Sequence, residues 1–480
     1  MFLKLALRNV TRGMRDYSVY FLTLTFGVCV FYMFNSLGSQ PAMTILASSD
    51  AGMVKDILLY MDVLSVFVSV VLACLVLYAN RFMLRRRKKE LGTYLLLGLP
   101  LSKLSLLLFC EVLLIGILAL VTGIALGIFG SLGLSALTLS LFQIDVPQLG
   151  FVFSGSSVGK TILYFSVMFL VVMVFNQISV ARRKLIDLMT DERKNEVLKN
   201  QSLPFSVLHF LLGVALLLSA YAILLLRGIL ALDKWFLVML FIGALGTLLF
   251  FRGLSGFILQ LCRRHETLYY KNLNMFVLRQ WSGKIHSTYL SMTVICIMLL
   301  LAIGISACSL GLNNAVDSSV QTYISSMSTQ EIQDIYGGYD NMLQSVYLET
   351  AGSKLLVLYM GLYLGMIFLL SSAAVLALQQ LSQTADNIVR YQILARLGTE
   401  ERMRGRAVFA QIFLAFFLPL ALAVVHAAVG ITAANSVIAQ VGQLDTGASS
   451  VLTACFILVI YGTYFLLTFL GSRRILRERR

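Results

Sequence analysis

Ten stretches of this chain are long and apolar enough to cross a lipid bilayer. They lie near 17–37, 57–80, 104–132, 161–181, 205–226, 235–251, 286–312, 355–378, 407–433 and 451–470. A helical span takes about 20 mainly apolar residues, because hydrocarbon offers no partner to an exposed backbone amide. That constraint predicts an all-α integral membrane protein with ten transmembrane helices, of which the sixth is the shortest. The composition agrees, with 59% hydrophobic and only 13% charged residues, far outside the soluble range. No charge occurs from Tyr17 to Ser49, which is too long for the apolar core of a signal peptide and reads as a retained first span.

The net charge of +15 would suggest nucleic acid in a soluble chain. Here topology accounts for it. With both termini on one side, 33 lysines and arginines fall on that side and only Lys55, Lys160, Arg227, Lys234 and Lys354 on the other. The positive-inside rule makes the richer side cytoplasmic, and nucleic acid is not expected as a partner. Lys4, Arg8, Arg12 and Arg15 form one helical stripe and Leu3, Leu7, Val10 and Met14 another. That pattern predicts an interfacial helix on the inner leaflet before the first span. The seven cysteines lie in or beside apolar segments without metal-site spacing, so neither a disulfide framework nor a metal is expected.

The chain repeats itself. At an offset of 300, "RKKELGTYLLLGLP" aligns with "NIVRYQILARLGTE", setting Gly98 on Gly398, Glu90 on Arg390 and Glu111 on Gln411. At an offset of 271, "LALRNVTRG" aligns with "FVLRQWSGK", setting Arg8 on Arg279. The expected organisation is a first four-helix unit over 1–200, a linker with two spans over 201–270, and a second four-helix unit over 271–480. Between spans seven and eight, 313–354 reads as a short, acidic, solvated extracellular loop turning at Gly337-Gly338.

Two cytoplasmic segments, 81–103 and 386–405, combine a helical composition with a glycine suited to a C-cap. Leucines in such a place cost free energy unless lipid or a partner covers them. Arg81, Arg85 and Lys88 share a face that would lie on anionic headgroups, leaving Glu90, Tyr94 and Leu97 for a protein groove.

"LALRNV", the "RRRKKELGTYLLLGLP" loop after the second span and the tail "SVARRKLIDL" resemble the FtsX-like permeases of ATP-binding-cassette (ABC) transporters. Ten spans in two such units resemble the bacitracin-export (Bce-type) branch, which handles or senses cell-wall-active peptide antibiotics. The resemblance implies a permease subunit of a bacterial plasma membrane, not itself an enzyme. Two copies of a separate cytosolic ABC ATPase would carry ATP and magnesium and act as mechanotransmission motors. They would seat on two coupling helices through Glu90, Tyr94, Leu97 and Gly98, and through Arg390, Ile393, Leu394 and Gly398. The substrates implied are amphiphilic peptide antibiotics or lipids. The rival expectation is a signalling scaffold that relays ligand or ATPase state to a membrane histidine kinase without transport. Bce-type permeases carry a large extracellular domain between spans seven and eight, where this chain has only 313–354.

Chemistry within the chain is sparse. "SGSSVGKT" (154–161) has the end of a phosphate loop but lacks its first glycine, and Gly155–Gly159 matches G-x-S-x-G without a preceding strand. Both read as chance matches in a Gly/Ser-rich stretch. The intramembrane polar residues are Asp62, Glu111, Gln411 and His426. Glu111 is expected to make an inter-helix contact, as Gln411 would in the second half. Pro419 is expected to kink the ninth span.

Overall fold

The computed structural model describes residues 2–39, 43, 51–86, 88–142, 153–181, 203–228, 234–264, 266–438 and 446–477, with some side chains inside these ranges left undescribed. All regular structure among the described residues is helical. The order is α1 (Phe2–Asn35), α2 (Ala51–Arg86), α3 (Lys88–Leu96), α4 (Leu101–Phe142), α5 (Gly155–Ala181), α6 (Leu203–Arg227), α7 (Lys234–Arg264), α8 (Glu266–Tyr269), α9 (Asn274–Ser326), α10 (Thr329–Tyr336), α11 (Tyr339–Asp386), α12 (Ile388–Arg396), α13 (Glu401–Ile438) and α14 (Thr446–Arg477). Nine of the described helices are long and apolar enough to cross a membrane, and Tyr20–Asn35 of α1 is a shorter apolar stretch. The protein is therefore an all-α, multi-span membrane protein.

Three expectations change in detail. The amphipathic N-terminus and the first span are one unbroken helix, Phe2–Asn35. The sixth span is not cut short at Arg252: α7 continues to Arg264. Arg252 is half-buried, with its guanidinium over the Tyr289 ring at 5.8 Å from the centroid, a cation–π contact that accommodates the charge. The 313–354 segment is helical nearly throughout. It comprises the end of α9, all of α10 and the start of α11, folded around Val320, Ile332, Met342 and Val346. The turn does fall at Gly337 and Gly338, whose φ angles are 70° and 148°. Lys354 is buried there and ion-pairs with Asp317.

The chain gathers into two compact units. The first comprises Met1–Lys184, Ile305–Ser371 and Ile438–Ala454; the second comprises Leu185–Gly304, Ser372–Val437 and Cys455–Arg480. In the first, α4 lies close against α1 because glycines face it. A β-carbon on Gly123 would sit 2.6 Å from that of Val28, and one on Gly127 2.9 Å from the Tyr32 ring. Without a hydrophobic drive between helices in lipid, such close approach is what holds them together. The second unit uses the same device between α6 and α7. Gly253 leaves no room for a β-carbon, which would fall 2.6 Å from the Ser206 carbonyl oxygen. Phe210 stacks on Phe257 beside it at 4.3 Å. In α13 the helix runs through Pro419 without interruption.

Candidate docking surface

The short helices α3 and α12 are each nine residues long and stand 300 residues apart, the offset of the sequence repeat. Their endings are the same down to the hydrogen bond. In the first unit the Gly98 amide donates to the Leu95 carbonyl at 3.1 Å and the Leu99 amide to the Tyr94 carbonyl at 3.0 Å. In the second, Gly398 donates to Ala395 at 3.1 Å and Thr399 to Leu394 at 3.2 Å. This crossed pair is the Schellman motif, which needs a left-handed residue at the turn. Gly98 and Gly398 supply it, with φ of 87° and 83°.

The turns hold apolar side chains outward. Leu97 is 79% exposed and Leu397 74%. Leu96, Val389 and Ile393 are also exposed, as are Glu90 and Arg390. Tyr94 and Leu394 are half-buried. Tyr94 packs, with Leu95 and Leu99, against the cluster of Leu91, Leu104 and Leu108. Of the eight expected contact residues, six thus lie on the surface, while Tyr94 and Leu394 serve partly as internal packing. The side chains of Lys4, Arg12, Arg15, Arg85 and Lys88 lie outside the described residues, as does the segment "RRKLIDL"; Arg8 is exposed.

Each unit holds a polar pair, and the two pairs are related by both repeat offsets. Asn9 Nδ2 donates to Glu111 Oε1 at 2.8 Å in the first unit. Gln411 Nε2 donates to Gln280 Oε1 at 2.9 Å in the second. Glu111 is fully buried, so its carboxylate depends on such donors. The second pair has an extra arm, for the Tyr391 hydroxyl on α12 donates to Gln411 Oε1 at 3.0 Å. Burial pushes the Tyr391 phenol up, against the opposing effect of the Gln411 bond, so it stays a neutral donor. Leu91 occupies the matching place in α3 and carries no hydroxyl.

The other intramembrane polar residues are separate from this surface. Asp62 ion-pairs with Lys160 at 2.6 Å, both about half exposed, so the pair contributes little to stability. His426 is buried, with its Nδ1 paired to the Tyr221 hydroxyl and its Nε2 3.2 Å from Thr247 Oγ1. Among the described residues no cluster of three or more His, Cys, Asp or Glu could hold a metal ion. Ser157, the central serine of the G-x-S-x-G match, is buried in the first turn of α5 and donates to the Asn35 carbonyl at 2.8 Å. Ser154 accepts from its amide at 3.3 Å. The stretch is a helix start, with its central serine turned inward.

Sequence reasoning missed the amides Gln280, Gln380, Gln383 and Asn387, which gather near Gln411 in the second unit. A signal existed. Residues 380, 383 and 387 share one face of α11 beside an apolar span, and Gln280 is the repeat partner of Asn9.

Comparison with known proteins gives this architecture relatives. Residues 63–184, which include α3 and its turn, match the FtsX-like permease C-terminal family. The chain is 27% identical over 313 residues to the bacitracin export permease protein BceB of Bacillus subtilis, covering 63% of this chain and 47% of that protein. It is 24% identical over 331 residues to the BceB of Halalkalibacterium halodurans, covering 67% and 50%. It is 26% identical over 275 residues to the ABC transporter permease protein YxdM of B. subtilis, covering 57% and 42%. The chain thus spans about half the length of the curated relatives it matches. It carries an FtsX-like permease domain and is homologous to the bacitracin export permeases.

Proposed function

We propose that this chain is the permease subunit of an ABC transporter in a bacterial plasma membrane, with both termini cytoplasmic. In this reading α3 and α12 are the docking helices for two copies of a separate ATPase, which binds ATP and magnesium. The observation that carries the reading is the pair of identical turns, 300 residues apart, each presenting an exposed leucine on a rigid Schellman ending. An apolar side chain so fully exposed outside the spans needs a cover, and a cover used twice suits a dimeric motor. ATP-driven closure of that motor would move the short helices, and the polar pair of each unit would pass the movement to the spans.

The substrate class follows from the relatives whose names carry bacitracin export: an amphiphilic, cell-wall-active peptide or a lipid. The compact helical hairpin over 313–354 would meet such a substrate on the outer side. The test is co-purification of the chain with the ATPase encoded beside it. Leu97→Ser and Leu397→Ser together should abolish capture while the permease keeps its elution profile in detergent. Undiminished capture would refute the docking assignment. Loss of antibiotic-dependent promoter induction with antibiotic resistance retained would instead favour the signalling scaffold.

A further inference from the structure

Within the second unit a relay of hydrogen bonds starts at Tyr391. Tyr391 donates to Gln411 Oε1, and Gln411 Nε2 donates to Gln280 Oε1. Among the described residues Gln280 Nε2 then has no partner, and neither has Nε1 of the adjacent Trp281. Both residues are deeply buried, 9% and 5% exposed, and both line one cavity. Its wall also carries Thr288, Gln380, Gln383, Asn387 and Ala415. Among the described residues, no charged side chain lines the cavity.

Two buried N–H donors, on residues that line a space walled by neutral amides, define a ligand. It must accept two hydrogen bonds, and among the described residues of the wall a lone ion would meet no counter-charge. We infer that this cavity is a binding site for a neutral oxygen, held by Gln280 Nε2 and Trp281 Nε1. The oxygen comes either from an internal water or from the ester of a phospholipid. Bound water of this kind satisfies two to four buried polar groups, and the wall amides supply the further partners. The occupant extends the hydrogen-bonded line that runs from α12 through α13 to Gln280 of α9, carrying it on to Trp281. The inference concerns the cavity alone and stands whether or not an ATPase docks on α12.

Trp281 makes the site readable. The chain has two tryptophans, and Trp235 is half exposed and stacked under Arg227, so Trp235→Phe isolates Trp281 with little disturbance. Ultraviolet resonance Raman spectra then report the hydrogen bonding of one indole N–H. The marker band should lie at the hydrogen-bonded position, despite the burial. A hydrogen-bonded N–H that survives in lipid-free detergent and exchanges in D2O assigns the oxygen to water. One present in phosphatidylglycerol vesicles but lost in lipid-free micelles assigns it to the lipid ester. A free N–H in both media overturns the site. Ala415→Val narrows the cavity and should shift the band to the free position. If the band stays hydrogen-bonded there, the partner is a protein atom and the proposal fails.

Discussion

Replacing Gly98 or Gly398 isolates the turn from everything around it. Nothing lies within 4 Å of a β-carbon built on either residue, so alanine meets no clash and the whole effect is conformational. At φ of 87° and 83°, an L-residue costs roughly 1–2 kcal/mol relative to glycine. Stiffening of the unfolded chain offsets about 0.4–1 kcal/mol of that. The net is about 1 kcal/mol, or roughly a fivefold rise in the open population of the turn. Hydrogen exchange read by mass spectrometry on peptides spanning 93–100 and 393–400 measures this directly. The amides of Gly98 and Leu99, or of Gly398 and Thr399, should exchange about fivefold faster, with the rest of the protein unchanged. Because the two turns share geometry, Gly98→Ala and Gly398→Ala should match each other. Asparagine, which tolerates the left-handed region, should cost less than alanine at both. Equal effects of asparagine and alanine, or a change at one turn only, would refute the argument from φ.

Other substitutions test the packing and the polar pairs. Gly253→Ala forces a β-carbon against the Ser206 carbonyl, 2.6 Å away, and should destabilise the protein in detergent by about 1–3 kcal/mol. Gly243→Ala on the same helix, with its nearest neighbour at 3.8 Å, should be tolerated in the same thermal assay. Glu111→Gln keeps an acceptor for Asn9 and should preserve the melting temperature, whereas Glu111→Leu strands that donor and should cost about 1–3 kcal/mol. At the start of α10, the Ser328 amide and hydroxyl donate to Glu331 and hold its carboxylate below the usual range. The depressed pKa means the cap stabilises α10 fully above the ordinary glutamate pKa of about 4.3. The contribution fades as pH falls through the lowered folded value. Exchange protection of α10 should follow that window and lose its pH dependence in Glu331→Gln.

Spans, the repeat and the two glycine turns were legible because each rests on local physics: apolar length, helical period and the φ that only glycine adopts cheaply. Arg252 misled the reading of the sixth span because a charge ends a span only where no aromatic face receives it, and Tyr289 does so from 37 residues away. The 313–354 segment looked like loop since its apolar residues are few, yet Val320, Ile332, Met342 and Val346 meet across two turns to make a core.

The sequence by itself determined that this chain enters a membrane, how its charges are distributed, and that the Leu-Gly ending occurs twice. These follow from composition and from residues within a few turns of one another. Only the tertiary structure decided that Tyr94 and Leu394 turn partly inward while Leu97 and Leu397 stand clear. It alone paired Asn9 with Glu111 and Gln411 with Gln280, and left Gln280 and Trp281 lining a cavity. A hydrogen bond between residues more than a hundred positions apart depends on which helices touch and at what height. Helix contact is set by where glycines permit close approach, and no local pattern encodes the partner that fills the gap.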